Sequence, residues 1–344
     1  EKELEERFYQ DISFGTAGLR GKVGVGTDRM NVYTVGRAAQ GVADYISSLG
    51  EKAKRDGVII IHDCRLFSDE FSRLVASIMV ANGIHAFLFD GIRPTPELSF
   101  LIPALHAAGG VNITASHNPS AFNGFKAYGS DGCQIGSDVA EPLMKRMSEI
   151  DYFSGVRKVD VDEAIRAGKI TMLGEKEDRL YLDEVLSLTI HDGDELDLTI
   201  PMVYTPLHGA GAIPFQRILR ERGFKNVHVV PEQEQPDPDF STVSYPNPED
   251  PKAFRMAEAL GRKVGAEVLM ATDPDSDRFA IELRSDDGSY VPLNGNQTGY
   301  LLANYILEGR RDAGTLPAKG AIIRSIVTST MTTRIAASYG IDLF

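Results

Sequence analysis

The stretch that most constrains this chain is Val111 to Pro119, reading VNITASHNP. Its first four residues, Val111, Asn112, Ile113 and Thr114, form a short apolar, β-branched run that suits a buried strand. Ala115-Ser116-His117-Asn118-Pro119 then breaks it. Pro119 has no N–H and pushes Asn118 out of the helical region, so the strand must end in a loop. A serine with a histidine beside it is thereby held at the tip of a rigid strand, where α/β proteins present reacting groups. Taken alone, the pair reads better as an ST-turn next to a solvated histidine. Three further stretches reverse that balance.

Helices and strands alternate around this point. Glu1 to Gln10 reads as a short charged helix. Helices follow over Val32 to Ser48, Asp69 to Ala81 and Pro96 to Ala107, interleaved with strands over Gly57 to His62 and His85 to Phe89, in the manner of an α/β layered domain. Asn123-Gly124-Phe125-Lys126 is expected to turn and then run on as a strand, bringing Lys126 close enough to Ser116 to share its cavity. Ser137 to Ile150 is helical, and the polar, mixed stretch Asp151 to Glu177 reads as a domain boundary. A helix over Asp178 to Leu188 leads into a second α/β unit: strand Leu198 to Thr205, helix Ile213 to Arg222, strand Asn226 to Val230, an exposed link Gln235 to Pro251, helix Lys252 to Val264 and strand Ala266 to Ala271. A third unit opens with helix Gly295 to Leu307, strand Ala321 to Thr328 and helix Thr330 to Ser338. Ile341 to Phe344 looks like the start of another strand. Its order of helix, strand, helix and Gly-Ile turn repeats that of Val32 to Ile84, so the third copy is expected to be cut short. The expected domains are 1–155, 156–288 and a partial third over 289–344, since 344 residues exceed one ordinary core.

Charge and cysteine content narrow the function classes. A formal net charge of −13 with no basic tract argues against nucleic acid as a partner. An anionic substrate would have to be attracted by local arginines, lysines and helix N-termini against that global field. Cys64 and Cys133 are far apart and form no CxxC, which fits a reducing compartment and no structural zinc. No run is long enough to span a bilayer, and the charged N-terminal residues are not signal-like, so the expectation is a soluble cytoplasmic protein without a membrane partner.

The second stretch is Asp11 to Gly26, DISFGTAGLRGKVGVG, whose glycine density marks backbone that turns tightly or approaches a ligand. It fails the P-loop pattern, having Thr16 where the first Gly belongs and Val23 after Lys22. It fails the dinucleotide fingerprint too, with Arg29 in place of the last Gly. What remains is a loop presenting Arg20, a side chain shaped to grip phosphate or carboxylate through two parallel hydrogen bonds. The third stretch, Thr205-Pro206-Leu207-His208-Gly209-Ala210-Gly211, caps the first strand of the second unit. There the glycines admit close backbone approach and His208 is a candidate to face a shared cleft.

The strongest signal is Thr272-Asp273-Pro274-Asp275-Ser276-Asp277-Arg278, set between two apolar strands. In extended backbone, alternate residues point the same way, so Asp273, Asp275 and Asp277 are expected to converge. Their repulsion costs on the order of 1 kcal/mol per close pair even in a wet site unless a cation neutralises them. Oxygen-only ligands favour magnesium over zinc. An EF-hand is excluded by Arg278 at the sixth position and Arg284 at the twelfth. Three oxygens leave magnesium short of six ligands, and a phosphate on Ser116 would add another, with Arg278 stabilising developing charge.

Together, GTAGLRG (Gly15 to Gly21), TASHNP (Thr114 to Pro119), NGFK (Asn123 to Lys126), TPLHGAG (Thr205 to Gly211) and DPDSDR (Asp273 to Arg278) resemble the α-D-phosphohexomutase family across nearly the whole chain. RFYQDISFGTAGLRG is most similar to the phosphoglucomutase branch that includes phosphopentomutase-like members. The acidic loop departs from the commoner DGDGDR form at Pro274 and Ser276 but keeps its three aspartates.

The resemblance implies repeated three-layer α/β domains with mixed sheets, four in the family, around a central cleft. It implies that Ser116 is the phosphorylated serine and that Asp273, Asp275 and Asp277 bind Mg2+ with the serine phosphate. His117 and Lys126 are its candidates for general acid and base, Arg20 and Arg278 contact phosphoryl oxygens, and Asn118 and His208 are further substrate-binding candidates. The implied reaction interconverts hexose 1-phosphate and 6-phosphate, with glucose the favoured sugar and mannose the other, through glucose 1,6-bisphosphate as activator and intermediate. A phosphopentomutase, a sugar-bisphosphate synthase, a phosphatase and a phosphosugar-binding regulatory paralogue are the alternatives. A monomer or weak homodimer is expected. The loops that in the family read the sugar hydroxyls and grip the distal phosphate would lie beyond Phe344, so residues 1–344 alone are expected to bind magnesium but turn over poorly.

Overall fold

A computed structural model describes residues 1–13, 15, 18–191 and 196–344. Phe14, Thr16 and Ala17 of the glycine loop lie outside the described residues. The first unit runs through α1 (Lys2–Phe8), β1 (Leu19–Lys22), α2 (Val32–Ser48), α3 (Glu51–Asp56), β2 (Val58–His62), α4 (Ser68–Ala81) and β3 (Ala86–Phe89). It continues with α5 (Thr95–Ala104), β4 (Gly109–Ile113), β5 (Phe122–Tyr128), α6 (Ser137–Glu149), α7 (Val161–Arg166) and β6 (Ile170–Leu173). The strands form one mixed sheet in the order β1-β5-β4-β2-β3-β6, in which β5 alone runs antiparallel to both neighbours.

β2 reads VIIIH and is buried at every position, as a central parallel strand covered on both faces must be. Ile60 joins Val35, Ala39, Val75 and Met79 of α2 and α4 on one face. Ile59 and Ile61 join Leu98, Leu101 and Ile102 of α5 on the other. This is the expected three-layer arrangement.

The second unit comprises α8 (Glu175–Ser187), β7 (Met202–Thr205), α9 (Ala212–Glu221), β8 (Val227–Val229), α10 (Pro231–Glu234), α11 (Arg255–Val264), β9 (Val268–Thr272), β10 (Phe279–Arg284) and β11 (Tyr290–Leu293). Its sheet order is β11-β10-β9-β7-β8. The strands β8, β7 and β9 are parallel, while β10 pairs antiparallel with β9 and β11. Val203, Leu269 and Ala271 pack on the α11 side, and Met202, Tyr204 and Met270 on the α9 side. The third unit has α12 (Gly295–Asp312), β12 (Ala321–Ile322), α13 (Met331–Ser338) and β13 (Asp342–Leu343), with β12 and β13 parallel. Its Gly340-Ile341 turn repeats Gly83-Ile84: both glycines have positive φ, and both isoleucine amides bond back five residues. Among the described residues, no helix is long and apolar enough to cross a membrane.

Several elements differ from expectation. The glycine loop contributes an edge strand, β1, paired with β5. NGFK lies inside β5 instead of turning before it: a Cβ at Gly124 would come within 2.4 Å of the Thr114 carbonyl and 2.7 Å of that of Leu19, so glycine is what lets three strands close up there. β6 comes from beyond the division expected at 155 and pairs with β3, so the first sheet extends to Leu173. The link 235–251 is not merely exposed, because Phe240 and Val243 are buried with Cys64 and Leu207 between the first two units. β12 stops after two residues, leaving Ile323, Ile326 and Val327 exposed where the strand was expected to continue.

Glu97, in the first turn of α5, is 2% exposed, and its Oε1 has no hydrogen-bond partner. Burial, then the facing Asp178 carboxylate of α8, push its pKa up to about 9. The folded chain therefore holds a proton that the unfolded chain releases above about pH 4.5. Stability is expected to fall as pH rises through that window, by at most ~1.4 kcal/mol per pH unit. In Glu97→Gln the decline should flatten, as read by urea midpoints at pH 5, 7 and 9. Parallel pH profiles would contradict the assignment.

Candidate metal centre and active site

The four loops that matter leave the C-terminal ends of parallel strands, the usual place for a site in an open α/β sheet. β4 delivers Ser116, β2 delivers Asp63 to Arg65, β9 delivers the acidic loop and β7 delivers TPLHGAG. The two sheets are set so that these ends meet: Ser116 Oγ donates to Asp273 Oδ2 at 2.9 Å, across 157 residues of chain.

The serine is 3% exposed and has φ +53°, a left-handed conformation that a non-glycine residue adopts only at a cost. Its amide donates to Thr114 Oγ1 at 2.9 Å. His117 Nδ1 lies 3.2 Å from Ser116 Oγ. Burial, then the nearby positive charges of Arg278 and Arg20, lower the His117 pKa to about 4, so the ring is neutral at pH 7. Tyr245, from the 235–251 link, meets this ring edge-on at 5.5 Å.

The carboxylates of Asp273, Asp275 and Asp277 converge, with an oxygen from each within 4.8 Å of the others. Alternation along an extended strand is not the cause. Ser276 has φ +54° and donates its amide to the Asp273 carbonyl at 3.0 Å, so a tight turn gathers the acids. Asp273 Oδ1 also accepts the Arg278 amide at 3.1 Å.

Lys126 bridges the loop from β5. Its Nζ donates to Asp275 Oδ2 at 2.7 Å and to Asp277 Oδ2 at 3.2 Å. It reaches them because β4 and β5 pair with Asn112 opposite Lys126. Burial opposes the lysine charge, but the two carboxylates outweigh it and hold the pKa above the ordinary value. Asp275 is the mirror case: burial would raise its pKa, and Lys126 pulls it below the usual carboxylate range. Asp273 is driven up, first by burial and then by the charges of Asp275 and Asp277.

Asp275 has a second set of partners that the sequence pattern did not single out. Thr95, the first residue of α5, donates its hydroxyl to Oδ2 at 2.9 Å and its amide to the Asp275 carbonyl at 2.8 Å. Asn112 in turn bonds Thr95 Oγ1. The carboxylate thus sits at a helix N-terminus, where the dipole favours negative charge. Even so, Asp275 Oδ1 is buried with no hydrogen-bond partner. An orphaned carboxylate oxygen among three converging hard donors fits a small divalent cation.

The glycines of TPLHGAG approach this loop and not a ligand. A Cβ at Gly209 would stand 2.5 Å from Pro274 Cα, and the Ala210 amide donates to the Pro274 carbonyl at 2.8 Å. His208 does not face the cleft as expected. It is 2% exposed, and its ring nitrogens engage the Gln235 carbonyl at 3.0 Å and Thr242 Oγ1 at 2.7 Å. Asn118 accepts from Arg20 Nη1 at 3.0 Å through Oδ1, which orients that arginine toward the serine loop. Arg20 is half-buried, and burial lowers its pKa from the ordinary value. Arg278 is partly exposed and lies 3.9 Å from Glu249. Arg65, also unmarked by any pattern, lies beneath the serine loop.

Residues 11–153 match the description "Phosphoglucomutase/phosphomannomutase, alpha/beta/alpha domain I", and residues 179–285 match the corresponding domain II. A phosphoglucomutase of Staphylococcus haemolyticus is 34% identical over 339 residues, covering 98% of this chain and 60% of its own length. One from Staphylococcus saprophyticus is 35% identical over 343 residues, covering 100% and 60%. The crystal structure of a putative phosphomannomutase from Thermus thermophilus superposes with a TM-score of 0.74 at 25% identity, over 97% of this chain and 68% of that one. The chain thus spans about 60% of the length of the curated phosphoglucomutases it matches.

Lys126 and a divalent cation compete for the same acidic oxygens. Lys126→Met removes the charge that favours the Asp275 carboxylate and leaves that buried group mainly to Thr95, a loss of about 3–5 kcal/mol for a broken buried pair. Without metal, the variant is expected to melt well below the parent. Magnesium should then raise its Tm by more than it raises the parent's. Equal magnesium-induced shifts in the two proteins would show that the cation binds elsewhere.

Proposed function

The chain belongs to the phosphoglucomutase/phosphomannomutase family, and from that premise we propose that it carries the phosphoryl-transfer centre of a phosphohexose mutase. The reading is that hexose 1-phosphate and 6-phosphate are interconverted, glucose being the first sugar to test, through a phosphorylated Ser116 and a hexose 1,6-bisphosphate. The observation that carries it is the 2.9 Å contact between Ser116 Oγ and Asp273 Oδ2, which puts a hydroxyl and a candidate cation site at one point.

Asp273, Asp275 and Asp277 would hold Mg2+. When bound, that ion neutralises phosphoryl oxygens and steadies the charge of the transfer. The remaining work falls to side chains. His117 is neutral and within 3.2 Å of Ser116 Oγ, so it can take the hydroxyl proton as Oγ attacks a phosphoryl group of the bisphosphate. The P–O bond to the sugar breaks as the P–Oγ bond forms. Lys126, charged at neutral pH, then gives a proton to the departing sugar oxygen. Running the same transfers backwards rephosphorylates the sugar at its other end. Arg20 and Arg278 flank the serine loop and can grip phosphoryl oxygens, giving an acidic chain a local cationic face.

The test uses the full-length protein with glucose 1-phosphate, magnesium and a trace of glucose 1,6-bisphosphate. Formation of the 6-phosphate ester is expected, together with a phosphate-sized mass increment localised to Ser116. Ser116→Ala should lose ~10³-fold or more of the rate. Release of free phosphate without isomerised ester would replace the mutase reading by a phosphatase.

A further inference from the structure

We infer that Arg65 is a positioning residue, which sets the direction of the Ser116 hydroxyl by binding backbone and makes no contact with substrate. This rests on the reading of Ser116 as the phosphoryl carrier. An arginine next to a phosphoryl site would ordinarily be assigned to the phosphate. Here its donors are already committed. Nη1 donates to the carbonyls of Pro119 and Phe122 at 2.9 and 3.0 Å. Nη2 donates to those of Ser116 and Asn118 at 2.5 and 2.6 Å. Nε is ion-paired with Asp63 Oδ2 at 3.2 Å. Of the guanidinium's five N–H groups, the four on Nη1 and Nη2 donate to carbonyls, and Nε, which makes no hydrogen bond, faces Asp63 in the ion pair.

Asp63 completes the device. Its Oδ1 accepts from the Arg65 amide at 2.9 Å and from Ser68 Oγ at 3.1 Å, and its Oδ2 accepts from Thr114 Oγ1 at 2.6 Å. Thr114 Oγ1 in turn receives the Ser116 amide. The serine is therefore held from both sides of its peptide, N–H through Thr114 and carbonyl through Arg65, with one buried ion pair as the anchor. Such a hold is needed because φ +53° is not a conformation that serine keeps unaided. The outer face of the guanidinium lies 5.0 Å from the ring of Phe240, which the second unit places there. The second unit thus closes the clamp that the first unit builds.

The experiment compares Arg65→Lys and Arg65→Gln in the full-length protein. Lysine keeps the charge but cannot span four carbonyls, so both variants are expected to lose about a hundredfold in kcat while KM for the sugar phosphate moves less than about threefold. A near-normal kcat in Arg65→Lys, or a raised KM with kcat intact, would overturn the inference. The latter result would make Arg65 a phosphate ligand. Since a buried arginine is costly to replace, Phe240→Leu offers a milder probe that leaves the hydrogen bonds in place. Amide exchange at Ser116 to Asn118 should quicken several-fold in that variant, with the Asp273 to Arg278 loop unchanged. Unaltered exchange in the serine loop would count against the clamp. This readout needs no turnover, so it stands apart from failure of the mutase reading, which would show as an inactive parent protein.

Discussion

Three carboxylates forced together where water is scarce are the constraint on which the rest of this molecule depends. Asp273 and Asp275 are fully buried and Asp277 only partly so. Like charges at this separation resist ionising together, and the protein answers unevenly. Lys126 and the N-terminus of α5 stabilise the charge on Asp275, while Asp273 is left to share a hydrogen bond with Ser116. That asymmetry sets the loop apart from a conventional salt-bridge cluster. One acid is ready as an anion, one is linked to the hydroxyl of interest, and one opens to solvent.

Holding the loops in this arrangement requires unfavourable backbone. Ser116, Leu207, His208, Phe240 and Ser276 all have positive φ, and all lie in loops at or around the site. Each such residue costs roughly 1–3 kcal/mol and persists only if its surroundings insist. Those surroundings are legible here. Gly209 lets one loop pack against Pro274, Gly124 lets β5 slide between two carbonyls, and the His208 loop is tied to its neighbours through the His208 amide on the Gln233 carbonyl and the Ala210 amide on the Pro274 carbonyl. Small residues in the motifs thus serve the closeness of protein to protein.

The sequence made much of this readable, and the limits follow from physics. Ser116 was visible because a proline ends its strand, and Lys126 because it follows Ser116 by only ten residues. The acids were visible because charge at two-residue spacing between apolar runs is hard to explain otherwise. Their convergence was expected for the wrong reason, since a turn at Ser276 gathers them and strand alternation does not. Thr95, Arg65 and Tyr245 were invisible because each reaches the site through tertiary contact from a distant segment, with no local pattern to mark it. His208 misled because a histidine in a glycine turn looks accessible, whereas its bonds to the 235–242 segment depend on how that segment folds back. β1 and β6 were missed because a short edge strand needs only a few paired residues and carries little periodicity.

The chain's net charge of −13 poses a last question, how an anion would be drawn to it at all. Four cations surround the serine loop, but they are not equivalent. Lys126 is bound to Asp275 and Asp277, and Arg65 has its donors on Asp63 and four carbonyls. Their charges are largely matched by neighbouring acids. Arg20 bonds the neutral amide of Asn118, and Arg278 is partly exposed with only a long pairing to Glu249. The two less committed cations thus come one from each of the first two units. A phosphoryl group that engaged both would bridge the first unit and the second, the same two units whose loops bring the Ser116 hydroxyl to Asp273.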